Sequence, residues 1–537
     1  MKRHKRRYHG SNPTRGSPLA SSMAFPVVAV GASAGGMEAF VELLRHIRHD
    51  SGMAFVLIQH LDPTHPSYLR DMLARSTNLP VHEIQDGVRV EPDHVYVIPP
   101  NADVGILQGT LTLVPRSTDP HRPHLPIDFF FTALAADQSN PPIGVVLSGT
   151  GSDGAEGLRA IKAEGGITFV QDPRSAKFDG MPRAAIQSGV ADFVLPIAEL
   201  ATELPRIAHH PLLAAQGDHR ALAGPSQDGE LEQVLAVLRE VVGVDFAEYK
   251  RTSIRRRLMR RMAMHRLTTL REYVQVLRDD RAEALALVED ILIHVTSFFR
   301  DARVYDRLGE RVFPEILKQK RGGGTIRVWS AGCSTGEEAY SLVICLLEFL
   351  DREGASDVPI QLFGTDISER AIEVARAGFY SETAVRDVGP DRLARFFTPV
   401  DGGGYRIGKL VRDRCLFAKH DLAHDPPYAK LDLVSCRNVL IYFAPELQKR
   451  VLGALHFALN YPGFFLHGRS ETVTDGASLF STIDQEARIF ARTAARSTLH
   501  ITPARDTAKA SVAARVRPWT VENLIRHVEN RLLDQYA

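Results

Sequence analysis

Apolar runs and amphipathic stretches alternate twice along this 537-residue chain, with a helical interval between the two series. Short, nearly unbroken apolar runs at 27–30, 54–58, 94–98, 143–147 and 167–170 predict buried parallel strands. Stretches at 36–47, 67–75, 127–137 and 154–163 repeat their apolar residues at helical spacing. That alternation predicts an α/β domain over 24–205. The stretch 206–228 mixes Gly, Pro, Ser, Gln and His without a period and reads as a linker. Residues 229–300 are almost entirely helical in pattern. A second α/β domain is expected over 301–495, with strands at 326–330, 360–364, 431–436 and 463–467 and a small antiparallel insertion at 402–418. Residues 1–23 read as a basic disordered tail. Residues 496–537 read as a loose segment closing in an amphipathic helix, with Val521, Leu524, Ile525, Val528 and Leu532 on one stripe. The fold class is therefore α/β: two parallel-sheet domains with a helical subdomain between them.

Composition narrows the function classes. A hydrophobic share of 44% and a charged share of 24% are those of an ordinary globular protein. The net charge of +1 gives no global attraction to a polyanion, so no nucleic-acid partner is expected. The cysteines Cys333, Cys345, Cys415 and Cys436 have no CxxC spacing, which predicts neither a metal site nor a disulfide and fits a reducing cytoplasm. No apolar run approaches the ~20 residues of a membrane span. The basic start lacks the apolar segment of a signal peptide.

Chemistry concentrates in two strand–glycine–helix turns. Open parallel sheets bind ligands beyond the carboxyl ends of their strands, and three polar residues of the first domain stand at such ends. Ser33 follows the strand at 27–30, within Gly31-Ala32-Ser33-Ala34-Gly35-Gly36. His60 ends the strand at 54–58. Asp153 lies in the turn after 143–147. A serine nucleophile, a histidine base and an orienting aspartate would suit ester hydrolysis. Alone, the glycine turn would equally cradle a phosphate, His60 would be a surface histidine, and Asp153 a turn residue. In the second domain the turn Gly332-Cys333-Ser334-Thr335-Gly336 is followed by Glu337 and Glu338, which would repel a pyrophosphate at that helix start. They suit S-adenosylmethionine, which carries a sulfonium and an ammonium. Asp366, at the end of the next strand, is placed to meet ribose hydroxyls. The competing roles are helix-dipole complementation by the glutamates and helix capping by Asp366.

Four segments of the first domain resemble one family. Gly31–Gly36, Gln59-His60, Gly149-Thr150-Gly151-Ser152-Asp153-Gly154-Ala155 and Gly180-Met181-Pro182-Arg183-Ala184-Ala185 are similar to the catalytic domain of the chemotaxis protein-glutamate methylesterases, CheB type, over about 25–200. The resemblance implies a triad of Ser33, His60 and Asp153. Thr150 stands where the family commonly has Met. The family's receiver domain is not expected ahead of residue 24, so the esterase is expected to act without phosphorylation.

A second, ordered set resembles the chemotaxis protein-glutamate O-methyltransferases, CheR type, over about 230–495. It comprises Thr296-Ser297-Phe298-Phe299-Arg300, Val328-Trp329-Ser330-Ala331, Ser334–Glu338, Thr365-Asp366-Ile367, Cys436-Arg437-Asn438-Val439-Leu440-Ile441-Tyr442-Phe443 and Gly468-Arg469-Ser470-Glu471. The resemblance implies a Rossmann-like fold and S-adenosylmethionine contacts at Thr296, Arg300, Glu338, Asp366, Asp421, Leu422, Arg437 and Asn438, with Tyr442 close to the transferred methyl. Asp421 and His294 each replace a family Asn. The cationic stretch Arg255–Arg261 is expected to steer an acidic helical substrate through Arg256 and Arg260.

Together these readings predict a bifunctional enzyme. It would methylate glutamates of chemoreceptors or similar coiled-coil sensors, hydrolyse the methyl esters and, by the same resemblance, deamidate glutamine. It would work in the cytoplasm, at membrane receptor clusters, without inserting in the membrane. The alternatives are a signalling scaffold with one inactive domain and a fragment of a larger sensor-kinase fusion.

Overall fold

Burial on both faces turns the apolar runs of the first domain into strands. Val27–Ala32, Ala54–Gln59, Pro142–Val146 and Ile167–Gln171 are buried almost throughout, and their β-branched residues suit a sheet covered by helices on each side. The computed structural model describes residues 25–61, 68–116, 124–137, 142–214, 225–293, 295–401, 403–469, 471 and 478–495. The tail 1–23, His294 and the stretch 519–537 lie outside the described residues.

The first sheet has seven parallel strands. Their order is Phe193–Leu195, Ile167–Gln171, Pro142–Val146, Val27–Ala32, Ala54–Gln59, Val95–Val97, Val81–Glu83. The chain builds outward from Val27–Ala32 in one direction and then returns to build from Pro142–Val146 in the other. A crevice therefore opens beyond the carboxyl ends of these two strands. The two edge strands, three residues each, are too short to show a period. Val88–Arg89, Thr110–Pro115 and Ala102–Leu107 form a separate antiparallel sheet, which the sequence pattern did not reveal.

The second sheet repeats the principle. Cys415–Lys419, Ile360–Asp366, Ile326–Ala331, Leu431–Cys436 and Leu459–His467 run parallel, and Ile489–Arg492 and Phe480–Asp484 extend them antiparallel. Its reversal point lies between Ile326–Ala331 and Leu431–Cys436. The insertion expected at 402–418 divides in two. Tyr405–Ile407 does pair antiparallel, with Phe379–Tyr380 and Phe397–Pro399. Cys415–Lys419 instead joins the main sheet parallel to Ile360–Asp366; there Phe417 and Ala418 are buried where an insertion would have left them exposed.

The helical part between the sheets is built on Pro225–Val242, Arg251–Met264, Leu270–Asp279 and Arg281–Leu292. Asp280 caps the last, accepting from Ala282 N at 2.8 Å. Leu238, Phe246, Tyr273 and Leu287 share one core with Trp329, Phe443 and Phe465, so the helical part packs as a layer on the second sheet. Ala263 and Met264 reach the other way, into the core of the first domain beside Ile207 and Leu213. The described ends of the linker expected at 206–228 are helical. Ile197–Ala208 and Pro211–Ala214 run into it from one side and Pro225–Val242 from the other, because Ile207, Ala208, Leu212 and Leu213 find apolar cover.

Candidate active sites

The reversal point of the first sheet gathers the three predicted side chains. Ser33 leaves Val27–Ala32 just before the helix Gly36–His46, and its own N–H is anchored on Ser148 O at 3.1 Å. His60 follows Ala54–Gln59, and its Nδ1 lies 3.0 Å from Ser33 Oγ. The opposite ring nitrogen, Nε2, lies 2.9 Å from Asp153 Oδ2. One nitrogen is thus committed to a carboxylate and the other to a hydroxyl, which makes the hydroxyl-facing nitrogen the proton acceptor. Asp153 is 3% exposed. The start of the helix Pro126–Ala136 points at it: Ile127 N donates to Oδ2 at 3.1 Å and Asp128 N to Oδ1 at 2.8 Å.

The second reversal point holds a pocket. Thr296, Arg300, Glu338, Asp366, Asp421, Leu422, Arg437, Asn438 and Tyr442 all line it, although they span nearly 150 residues of sequence. Gly332 makes the turn at its floor with φ +75°, and a Cβ there would collide with Val439. Glu338 binds the two central strands together, its Oε1 accepting from Ser330 Oγ at 3.1 Å and Ser435 Oγ at 2.7 Å. Its Oε2 meets Arg437 Nη1 at 3.3 Å. Arg437 is neutralised again by Asp301 at 2.6 Å. Asp366 accepts from Ser334 N at 2.9 Å and Ser368 N at 3.0 Å. The helix cap at that point is Ser368, whose Oγ accepts from Ala371 N, so Asp366 is free of the capping role. Asp421 carries His424 on its Oδ2 at 2.8 Å, an ion pair that raises the imidazole's pKa. Glu337 does not line the pocket; it is buried against Thr335, and burial raises its pKa.

The donor set discriminates among cofactors. Arg437 already has two carboxylates on it, while Glu338 and Asp366 face the pocket. Such a site suits a cationic group and ribose hydroxyls better than a pyrophosphate. The fit is to S-adenosylmethionine.

Comparison with known proteins agrees with this order of parts. Residues 28–204 match the CheB methylesterase model, 229–292 the all-alpha domain of CheR methyltransferase, and 294–489 its SAM binding domain. Chemotaxis protein methyltransferase 1 of Pseudomonas aeruginosa is 32% identical over 258 residues, 47% of this chain and 93% of that protein. The chain belongs to the chemotaxis methyltransferase family. It joins that CheR module to a CheB methylesterase domain. A 104.1 kDa protein of Rhodobacter capsulatus is 39% identical over 442 residues, 79% of this chain and 46% of that protein; the chain thus spans about half the length of that relative. The CheB methylesterase catalytic domain of Thermotoga maritima is similar at 27% identity with a TM-score of 0.32, covering 34% of this chain and 98% of that one.

The structure corrects the sequence reading at Arg256 and Arg260. Both side chains are engaged between domains, Arg260 fully buried and Arg256 at the part-exposed rim, because the helix Arg251–Met264 docks the CheR module onto the CheB domain. Arg260 is 0% exposed and is clamped between Asp192 of the CheB domain and Asp290 of its own module, with Nε on Gly166 O at 2.9 Å. Burial alone would raise Asp192; Arg260 and Lys162 overcome it and hold the carboxyl at about 2. Arg256 pairs with Glu164 at 2.7 Å. Arg257 caps the end of the helix Ala155–Ala163 through Lys162 O and Ala163 O. Burial, with Arg260 and Arg256 beside it, lowers Arg257 to about 10. Charge count could not separate this buried clamp from a solvated cationic face.

Sequence reasoning also missed groups that act by holding others. Glu471, 4% exposed, accepts from Asn438 N at 3.0 Å, Ile441 N at 3.2 Å and Gly468 N at 2.9 Å, and so fixes the loop that presents Asn438 and Tyr442. Tyr249 closes the pocket from the helical layer, stacked edgewise on Phe443 at 5.0 Å. The signal for Glu471 lay within the Gly468–Glu471 motif. Tyr249 has none, since an aromatic between helices reads as core.

Proposed function

We propose that this chain both forms and hydrolyses methyl esters of glutamyl side chains, with chemoreceptors or similar helical sensors as the protein substrate. The observation that carries this reading is the coincidence, in one chain, of the Ser33–His60–Asp153 hydrogen-bond series in a CheB domain and an acidic cofactor pocket in a CheR module.

In the esterase, Ser33 Oγ attacks the ester carbonyl while His60 Nδ1 takes its proton. Asp153 holds the ring on Nε2 and stabilises the imidazolium. His60 then protonates the departing methoxide, releasing methanol. Water, deprotonated by the same nitrogen, attacks the acyl-enzyme, frees the glutamate and restores Ser33. Backbone N–H groups of the small-residue turn around Ser33 are the source of oxyanion stabilisation.

In the methyltransferase, bound S-adenosylmethionine supplies an electrophilic methyl group. Glu338 and Asp366 would hold its cationic and hydroxyl groups, with Thr296, Arg300, Asp421, Leu422, Arg437 and Asn438 completing the pocket wall. Tyr442 stands at the acceptor side, its phenol kept protonated by burial. A glutamate carboxylate is already a nucleophile, so these residues need only position it and exclude water. Among the described residues no helix is long and apolar enough to cross a membrane. In this reading the chain meets its receptors from the cytoplasm.

The test is to incubate the full chain with methyl-labelled S-adenosylmethionine and receptor, following protein-bound label and released methanol. The parent should pass label through protein to methanol, and Ser33→Ala should accumulate stable protein ester. A parent chain that transfers no label to any glutamate-bearing receptor would sink the reading.

A further inference from the structure

Two helices meet at the esterase site with their amino-terminal ends exchanged. The helix Pro126–Ala136 points its first N–H groups at Asp153, through Ile127 N at 3.1 Å and Asp128 N at 2.8 Å. The helix Ala155–Ala163, which Asp153 precedes, points its own at Asp128: Gly154 N donates to Asp128 Oδ1 at 2.9 Å and Gly157 N at 2.7 Å. Each helix thus supplies the carboxylate that caps the other. The crossing is tight, since a Cβ on Gly157 would lie 3.1 Å from Asp128 Cα. Asp128 is 9% exposed, and no family motif quoted above includes it.

We propose that Asp128 is a positioning residue for the esterase: its carboxylate fixes the turn that carries Asp153, and through Asp153 it fixes the ring of His60 against Ser33. The inference rests on the esterase reading above. Asp153 Oδ2 is shared between Ile127 N–H and His60 Nε2, so the imidazole can hold its 3.0 Å approach to Ser33 only while the turn 150–154 is held. Asp128 supplies both halves of that restraint, its N–H to Asp153 and its carboxylate to the turn. The charged groups near it are Asp153 from the preceding turn, Glu156 from the helix it caps and Arg386 from the CheR module. Burial, reinforced by the charge on Asp153, raises Asp128 to about 7.

The experiment uses the full chain, methyl-esterified receptor and a fluorophosphonate that labels reactive serines. Asp128→Ala removes the accepting oxygen and should lower kcat about tenfold or more with KM little changed, because a displaced base acts on the reaction step. It should also slow fluorophosphonate labelling of Ser33 while leaving the final stoichiometry at one. Asp128→Asn keeps an oxygen for Gly154 N and Gly157 N and should restore both rates to within about threefold. Three results would overturn the proposal: Asp128→Ala as fast as the parent, Asp128→Asn as slow as Asp128→Ala, or a loss confined to stoichiometry, which marks a folding defect alone. A parent whose Ser33 neither labels nor turns over would take down the esterase reading and this inference together, an outcome distinct from the other three.

Discussion

The two sites occupy the same place in two sheets and use carboxylates in opposite ways. In the CheB domain, Asp153 ends a hydrogen-bonded series of side chains, Ser33, His60, then the carboxylate, which orients the imidazole toward the hydroxyl. In the CheR module, Glu338, Asp366 and Glu471 tie strands and loops together around a pocket, each accepting from at least two donors. The difference fits the two proposed reactions. An ester carbonyl needs an activated nucleophile, and activation requires a base in line. A carboxylate acceptor is already anionic, so its site needs only shape and charge. The same topological position therefore yields a reactive centre in one sheet and a scaffolded cavity in the other.

The sharpest test of that contrast is Ser33→Ala. Loss of the nucleophile should lower methanol release by about a thousandfold or more, while calorimetric titration should find S-adenosylmethionine affinity unchanged. Arg260→Ala tests how far the two regions are one body. It leaves Asp192 and Asp290 buried without their cation, an effect of about 3–5 kcal/mol. The expected result is a lower denaturation midpoint for both domains in the same transition; a midpoint unchanged in both would mean that the clamp is not made in solution.

The parts legible in sequence and the parts that were not divide along physical lines. Central strands such as Val27–Ala32 and Ile326–Ala331 are buried on both faces, so their apolar runs stood out. Phe193–Leu195 and Val81–Glu83 are edge strands of three residues and left no period. Ser33, His60 and Asp153 were legible because a strand end next to a glycine turn is where open sheets expose chemistry. Asp128 was not, because its partners are backbone N–H groups of a helix 26 to 29 positions away. A cationic run is ambiguous for a related reason. Arg256, Arg257 and Arg260 meet carboxylates and carbonyls between 162 and 192, 68 to 95 residues off, and no local pattern encodes that meeting.

Asp128 also offers a test by pH. In the folded chain it keeps its proton up to about 7, while unfolded it releases it near the ordinary 3.8. Between those values the folded state binds more protons, so this group makes stability fall as pH rises through that window. Asp128→Asn removes the group. The parent should lose more urea resistance than Asp128→Asn between about pH 4 and pH 7, with Asp153, Glu156 and Arg386 common to both. Equal losses would place the Asp128 proton elsewhere. On the other side of the comparison, Asp366→Ala should weaken S-adenosylmethionine binding by about 1–3 kcal/mol, the scale of leaving polar groups unpaired. Asp366→Asn, which still offers an oxygen to Ser334 N or Ser368 N, should lose less. If the alanine variant binds as the parent does, Asp366 serves the loops and not the cofactor.

The smallest expected effect decides the most about the cationic helix. Arg256 and its partner Glu164 are 32% and 42% exposed, so their pair is screened and contributes about 1 kcal/mol at most. If Arg256 serves docking, Arg256→Ala should shift stability by no more than that and leave the receptor KM and its salt dependence within error. If it steers an acidic receptor instead, KM should rise several-fold at low salt and the difference should vanish as salt screens it. The buried neighbour cannot make this distinction, since Arg260→Ala disturbs folding before it reaches binding. Arg256 can, because it lies at the rim of the interface, where Glu164 and an acidic substrate would compete for one guanidinium. Burial of its neighbours in the clamp favours the docking outcome, and a salt-sensitive rise in KM would return the helix to the substrate.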